Sequence, residues 1–198
     1  ALFEIGALRD KMSSNICDIR DVEALAEKVV GIDPEICIHL AAQSLVRESY
    51  VDPIRTFATN VQGTTNLLDA LRAAPSAKAI VCITTDKVYK DKESKSPYCE
   101  TDELGGYDPY SASKAAAEIA AECFRQSFFQ EKGVGIATVR AGNVIGGGDW
   151  AADRLVPDAM RAFGKGDALF VRFPTATRPW QHVLEPLSGY LLLCERMR

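Results

Sequence analysis

Tyr110 and Lys114 stand four residues apart in Tyr110-Ser111-Ala112-Ser113-Lys114. On a helix that spacing brings both side chains to one face, one turn apart. An ammonium close to a phenol favours the phenolate, which lowers a tyrosine pKa that is ordinarily about 10. Such a tyrosine can take a proton from a sugar hydroxyl near neutral pH. The plainer reading is two residues on a solvated helix face, and the pair alone does not choose between them. A second reactive set, Thr84-Thr85-Asp86-Lys87, directly follows the apolar run Ala79-Ile80-Val81-Cys82-Ile83. An acid and an amine at the end of a buried strand lie where open α/β sheets place their ligands.

The elements that must position these groups can be read from apolar spacing. Asp21 is placed to cap a helix over 22–30, where Val22, Leu25, Ala26 and Val29 repeat with helical period. Gly31 and Pro34 are expected to stop it. Residues 36–40 form a short apolar run of strand length, ending in Ala41-Ala42-Gln43. A long helical segment follows Pro53 to about residue 73. Residues 79–83 read as a buried strand and 88–109 as a polar loop, long enough to be functional. A helix over 110–130, a strand over 134–140 and a glycine-rich loop over 141–150 come next. A helix over 153–163, a strand-like stretch over 169–173 and a last helix over 187–197 complete the chain; the stretch before 20 reads as irregular. Short apolar strands alternating with helices of ten or more residues predict an α/β fold, a parallel sheet with helices on both faces.

Bulk properties narrow the function. The chain has 198 residues, 47% apolar and 25% charged, with net charge −4. Without a long basic run, a general nucleic-acid or membrane-surface binder is disfavoured. No apolar stretch reaches the roughly 18–20 residues of a membrane span. Six scattered cysteines without a Cys-x-x-Cys pair read as free thiols in a reducing cytoplasm. With only His39 and His182, no metal site is expected. His39, inside an apolar strand, reads as structural. His182 reads equally as polar lining or as a buried histidine. Trp150 and Trp180 read as packing residues rather than base stackers.

The motifs Ala41-Ala42-Gln43, Thr59-Asn60-Val61-Gln62-Gly63-Thr64, Thr84-Thr85-Asp86-Lys87, Tyr110-x-x-x-Lys114 and Arg140-Ala141-Gly142-Asn143-Val144 occur in the order used by the extended short-chain dehydrogenase/reductases. Within them the chain resembles the CDP-glucose 4,6-dehydratase family. The residues that carry this are Asp86-Lys87, Leu104-Gly105-Gly106-Tyr107-Asp108-Pro109, Gly146-Gly147-Gly148-Asp149-Trp150 and Arg178-Pro179-Trp180-Gln181-His182-Val183. The resemblance implies a Rossmann-like, doubly wound parallel sheet over 1–145, incomplete at its N-terminus. Part of a smaller C-terminal substrate-binding lobe would occupy 146–198. The family's Gly-x-x-Gly-x-x-Gly turn is absent, so the chain resembles a fragment, expected to bind NAD weakly and to be inactive by itself. Cys17 and Cys99 stand where relatives carry glycine and arginine.

The resemblance further implies NAD as cofactor and CDP-glucose as substrate. Tyr110 would deprotonate the C4 hydroxyl, Lys114 would hold the nicotinamide ribose and Thr85 would bond O4. Asp86 would be the acid at the C6 hydroxyl and Lys87 the base at C5. A lysine base must be neutral, and the alternative is that Lys87 pairs with Asp86 and only positions it. Asp18 and Ile19 would contact adenine, and Ala41, Ala42 and Gln43 would line the pyrophosphate and ribose. Asn60 would support the site by bonding backbone of the neighbouring helix. Asn143, Arg154 and Arg178 would bind the substrate, the arginines through its diphosphate. A homodimer or higher homo-oligomer is implied, although packing on the sheet accounts equally well for the alanine-rich helices. The alternatives are another nucleotide-sugar epimerase or dehydratase, and a non-catalytic dinucleotide-binding protein on the same fold.

Overall fold

The structure is a computed structural model that describes residues 2–92 and 96–198; residues 93–95 of the expected loop lie outside the described residues. In chain order the elements are α1 (Leu2–Ile5), α2 (Val22–Ile32), β1 (Ile36–His39), α3 (Val46–Val51), α4 (Pro53–Phe57) and α5 (Gly63–Leu71). Then come β2 (Ala79–Ile83), α6 (Pro109–Phe124), β3 (Gly135–Val139), β4 (Asn143–Ile145), α7 (Leu155–Gly164), β5 (Trp180–His182) and α8 (Leu184–Met197). Wide π-type turns at Ala58–Gln62 and Arg125–Phe129 continue α4 into α5 and extend α6. The expected helices over 53–73 and 110–130 are therefore continuous but locally unwound. The chain start, read as irregular, holds α1 and a short 3-10 turn at Leu8–Asp10.

The described residues divide into two compact units, one of Cys17–Ala141 with Leu187–Arg198, the other of the residues up to Ile16 with Gly142–Pro186. The larger unit is built on a parallel sheet of order β1-β2-β3, with Ile36 opposite Ala79 and Ala79 opposite Gly135. Because side chains alternate along a strand, each face carries its own core. On one face Cys37, Ile80, Cys82 and Ile136 pack with Leu25 and Val29 of α2, Leu67, Leu68 and Leu71 of α5, and Ala121 and Phe129. On the other, Val81, Ile38, Ile83 and Val139 pack with Leu193, Cys194 and Met197 of α8. Gly135 is required by this second packing, since a Cβ there would lie 2.8 Å from Met197 Cβ. Helices thus cover both sheet faces, the doubly wound α/β arrangement expected.

Asp21 caps α2, accepting from the Ala24 amide at 3.1 Å. The expected stop at Gly31 is not used. The helix runs through it to Ile32 and ends on Asp33, held left-handed at φ 47°. Aspartate tolerates that conformation, and its carboxylate is occupied by the Ser76 amide and hydroxyl at 3.0 and 2.7 Å.

The smaller unit departs more from expectation. The glycine-rich stretch contains β4, which pairs in parallel with β5, a strand over residues to which no element was assigned from the sequence. Conversely, 169–173 forms no strand, and Phe170 and Phe173 are exposed. An apolar run becomes a strand only when a neighbour offers backbone groups in register, which local composition does not reveal. Trp150 and Trp180, expected to pack, are 63% and 44% exposed. His182 is exposed too, its Nδ1 accepting from the Leu184 amide at 3.3 Å.

His39 is structural, as expected: it is buried, with Nε2 3.0 Å from Thr64 Oγ1. Burial, aided by the charge of Lys114, lowers its pKa from 6.5 to about 4. Between those values the unfolded chain binds a proton that the folded chain excludes, so stability rises with pH across this window. Acidification from pH 7 to 4 is expected to cost roughly 3 kcal/mol through this group alone. Urea unfolding of wild type and His39→Leu at both pH values checks this; the variant should lose that part of the acid sensitivity.

Candidate active site

The site in the larger unit is built on the C-terminal tip of β2. Thr84 continues the sheet, its amide donating to Val139 O at 2.9 Å, and the Asp86 amide donates to Ala141 O at 3.2 Å. From Asp86 the chain tightens into a single 3-10 turn, Asp86–Val88, capped by Thr85 Oγ1, which accepts from the Lys87 amide at 3.4 Å. The same hydroxyl donates to Asp86 Oδ1 at 3.1 Å, and Lys87 Nζ donates to that oxygen at 2.9 Å. Thr85 is buried, whereas Asp86 and Lys87 keep about a third of their side chains in solvent. The turn packs against α6.

Helix α6 is fixed at its start by four devices. Asp108 caps it, accepting from the Ser111 amide at 3.0 Å, and Pro109 occupies the first turn, where its missing N–H costs nothing. The Tyr110 amide is satisfied by Ser49 Oγ at 3.1 Å. Gly106 sits at φ 104° with its α-carbon against the first turn; a Cβ would fall 2.5 Å from the Ala112 amide nitrogen. Tyr110 and Lys114 are both buried. Lys114 Nζ donates to Ile83 O at 2.8 Å, tying the helix to the last residue of β2. Burial lowers its pKa from 10.5 to about 8. One turn on, buried Glu118 accepts from Thr84 Oγ1 at 2.5 Å and from Arg140 Nε at 2.8 and 2.9 Å.

The residues assigned to the cofactor lie at the same end of the sheet and along α5. Asn60 joins three of the segments. Its Oδ1 accepts from the Gln43 amide at 2.8 Å, and its Nδ2 donates to Gln43 O at 3.0 Å and to Ser113 Oγ at 2.9 Å. Ser113 Oγ in turn donates to Tyr110 O at 2.7 Å. The backbone that Asn60 bonds is therefore the loop after β1, and the neighbouring helix is reached through a hydroxyl, not through its backbone as expected. Ala41 and Ala42 leave the loop surface free of bulk. Asp18 is exposed and bonded to Arg20, which holds its pKa down at about 2, so it is an ionised acceptor at neutral pH.

The smaller unit carries the remaining candidates. Asn143 opens β4, its amide donating to Pro179 O at 2.9 Å. Arg154 Nη1 pairs with Asp149 Oδ2 at 2.7 Å, and Arg178, exposed, donates to Thr177 O at 2.7 Å. Ser49, Ser113 and Glu118 were missed by sequence reasoning. Only Ser113 carried a signal, lying inside the Tyr-x-x-x-Lys motif on the turn that joins its two reactive residues.

A parallel sheet wrapped by helices, with a tyrosine-lysine helix packed on an acid-bearing strand tip, defines a Rossmann-like α/β protein. The chain belongs to the family described as GDP-mannose 4,6 dehydratase, whose family model matches residues 4–197. It is 52% identical over its whole length to CDP-glucose 4,6-dehydratase of Salmonella typhimurium, of which it covers 56%. It is 33% identical to dTDP-glucose 4,6-dehydratase of Streptomyces griseus, with 88% of this chain and 50% of that relative aligned. Among solved structures, dTDP-glucose 4,6-dehydratase from Streptomyces venezuelae with NAD bound superposes with a TM-score of 0.77, at 29% identity, over 89% of this chain and 52% of that one. The chain therefore spans about half the length of these relatives.

Proposed function

We propose that the full-length protein dehydrates CDP-glucose to CDP-4-dehydro-6-deoxyglucose with NAD as a recycled cofactor. The observation that carries this is the Thr85-Asp86-Lys87 turn, bonded within itself and packed on the helix of Tyr110 and Lys114. The 52% identity to the Salmonella enzyme favours cytidine as the nucleotide.

The residues fit the cofactor in part. Asp18 offers an ionised acceptor to the adenine amine, small Ala41 and Ala42 admit close approach, and Lys114 offers a buried ammonium. The described residues supply no glycine-rich diphosphate turn. When bound, NAD would take a hydride from C4 and later return it to C6. Tyr110 takes the O4 proton, with Thr85 hydrogen-bonded to that oxygen. The new ketone makes the C5 proton acidic. Asp86 and Lys87 then act as one couple: their ion pair and its neutral form hold the same number of protons. A shift of one proton along their 2.9 Å bond leaves Lys87 able to accept from C5 and Asp86 able to donate to O6, releasing water; Lys87 then returns its proton to C5 when C6 is reduced. Asn143, Arg154 and Arg178 hold the sugar nucleotide, the guanidinium groups exchanging their present partners for phosphate oxygens.

A homodimer through the helices over 53–73 and 110–130 is part of the same reading, supported by exposed Ile54 and Ile119. So are a cytoplasmic location and a role in deoxyhexose supply for surface polysaccharide such as O-antigen. The test incubates the full-length protein with CDP-, dTDP-, UDP- and GDP-glucose and reads the alkaline absorbance of the 4-keto product. CDP-glucose alone should give strong signal; a preference for another nucleotide, or no product from any, overturns the reading.

A further inference from the structure

Two residues of α5 that the proposed chemistry does not use hold the segment 18–20 from behind. Gly63 is buried, and Ile19 lies directly on its α-carbon: a Cβ there would sit 2.4 Å from Ile19 Cδ1 and 2.6 Å from Cγ1. One turn along, buried Asn66 donates through Nδ2 to Ile19 O at 3.0 Å and to Arg20 O at 3.4 Å. Gln62 Nε2 donates to Asn66 Oδ1 at 2.8 Å, which fixes the orientation of the amide. Cys17 and Ile19 pack against the core on this face. The segment follows an exposed stretch, and the bonds of Asp18 are local: its carboxylate accepts from Arg20 and its carbonyl from the Asp21 amide at 3.0 Å. Within that packing, the α5 contacts at Gly63 and Asn66 fix where the Ile19 side chain lies and how the backbone after Asp18 runs.

We propose that Gly63 and Asn66 are positioning residues for the adenine half of the dinucleotide, setting its affinity without acting on the reacting half. The proposal rests on the reading of Asp18 and Ile19 as the adenine contacts. Gly63 does this by having no side chain, so Ile19 can lie flat on the helix and present its outer surface. Asn66 does it by fixing the backbone on which Asp18 is aimed. Any side chain at position 63 drives Ile19 out of its rotamer, and loss of the Asn66 amide releases two carbonyls to solvent.

The test uses full-length protein cleared of dinucleotide, with AMP and nicotinamide mononucleotide as separate calorimetric probes. Gly63→Ala and Asn66→Ala should each weaken AMP about tenfold while leaving the mononucleotide unchanged within about twofold. Gly63→Ala should also lower the melting temperature, and adding Ile19→Ala, which removes the overlapping atoms, should restore it. If Gly63→Ala does not fold, Asn66→Ala carries the comparison alone, because its carbonyl partners can turn to water. Unchanged AMP affinity, or equal loss for both probes, overturns the proposal. Asp18→Ala separates the two levels. If it leaves AMP binding intact, the assignment of the adenine contacts fails. If it weakens AMP while the α5 variants do not, only the positioning role fails.

Discussion

Tyr110→Phe in the full-length protein is expected to reduce turnover of the nucleotide sugar by about three orders of magnitude, within the range for loss of a positioned acid-base group. KM should change little, and the variant should still melt as a cooperatively folded protein. The separation follows from how the residue is held. Its amide is bonded to Ser49 Oγ and its carbonyl to Ser113 Oγ, and neither bond involves the phenol oxygen. The ring stays buried in phenylalanine, so the helix start keeps its packing while the proton acceptor is lost. Steady-state kinetics with a thermal melt of the same preparation check both halves. Turnover within tenfold of wild type would move the base elsewhere.

Arg140→Met is expected to destabilise the fold by about 3–5 kcal/mol, because it strips the cation from a buried carboxylate. Glu118 is 4% exposed, and its other side-chain partner is the Thr84 hydroxyl. Arg140 also lies over the Tyr89 ring at 4.8 Å and donates to Glu100 O at 3.2 Å, so it anchors the loop that follows the acid-bearing turn. Tyr89 stacks on Tyr98 at 4.6 Å, which carries that anchoring further along the loop. Urea midpoints at constant slope measure the loss. Adding Glu118→Gln should recover most of it, since a neutral amide needs no counter-charge. A single variant within 1 kcal/mol of wild type would mean that solvent reaches Glu118.

Most of the framework was legible because its determinants are short-range. β2 occupies the expected 79–83, and Asp21 caps α2 as read, since a cap and the amide it accepts lie three residues apart. The errors fall where the decisive partner is distant. β4 is three residues long among glycines and exists because β5 lies beside it; 169–173 is apolar enough for a strand and has no partner among the described residues. Gly31 looked like a stop, but a helix ends where its last carbonyls find other partners, and here Asp33 is anchored by Ser76, 43 positions away.

The same division holds for the chemistry. Which groups this chain brings to a reaction is written in adjacent residues: a hydroxyl, an acid and an amine in Thr85-Asp86-Lys87, and a phenol with an ammonium one helical turn away. How those groups are held belongs to the folded chain alone. Lys114 finds the Ile83 carbonyl across 31 positions, Asn60 finds Ser113 across 53, and Glu118 finds Arg140 across 22. No local rule selects these partners. Each is chosen because packing helices on a parallel sheet buries a polar group that must then be satisfied by whatever the fold has placed beside it.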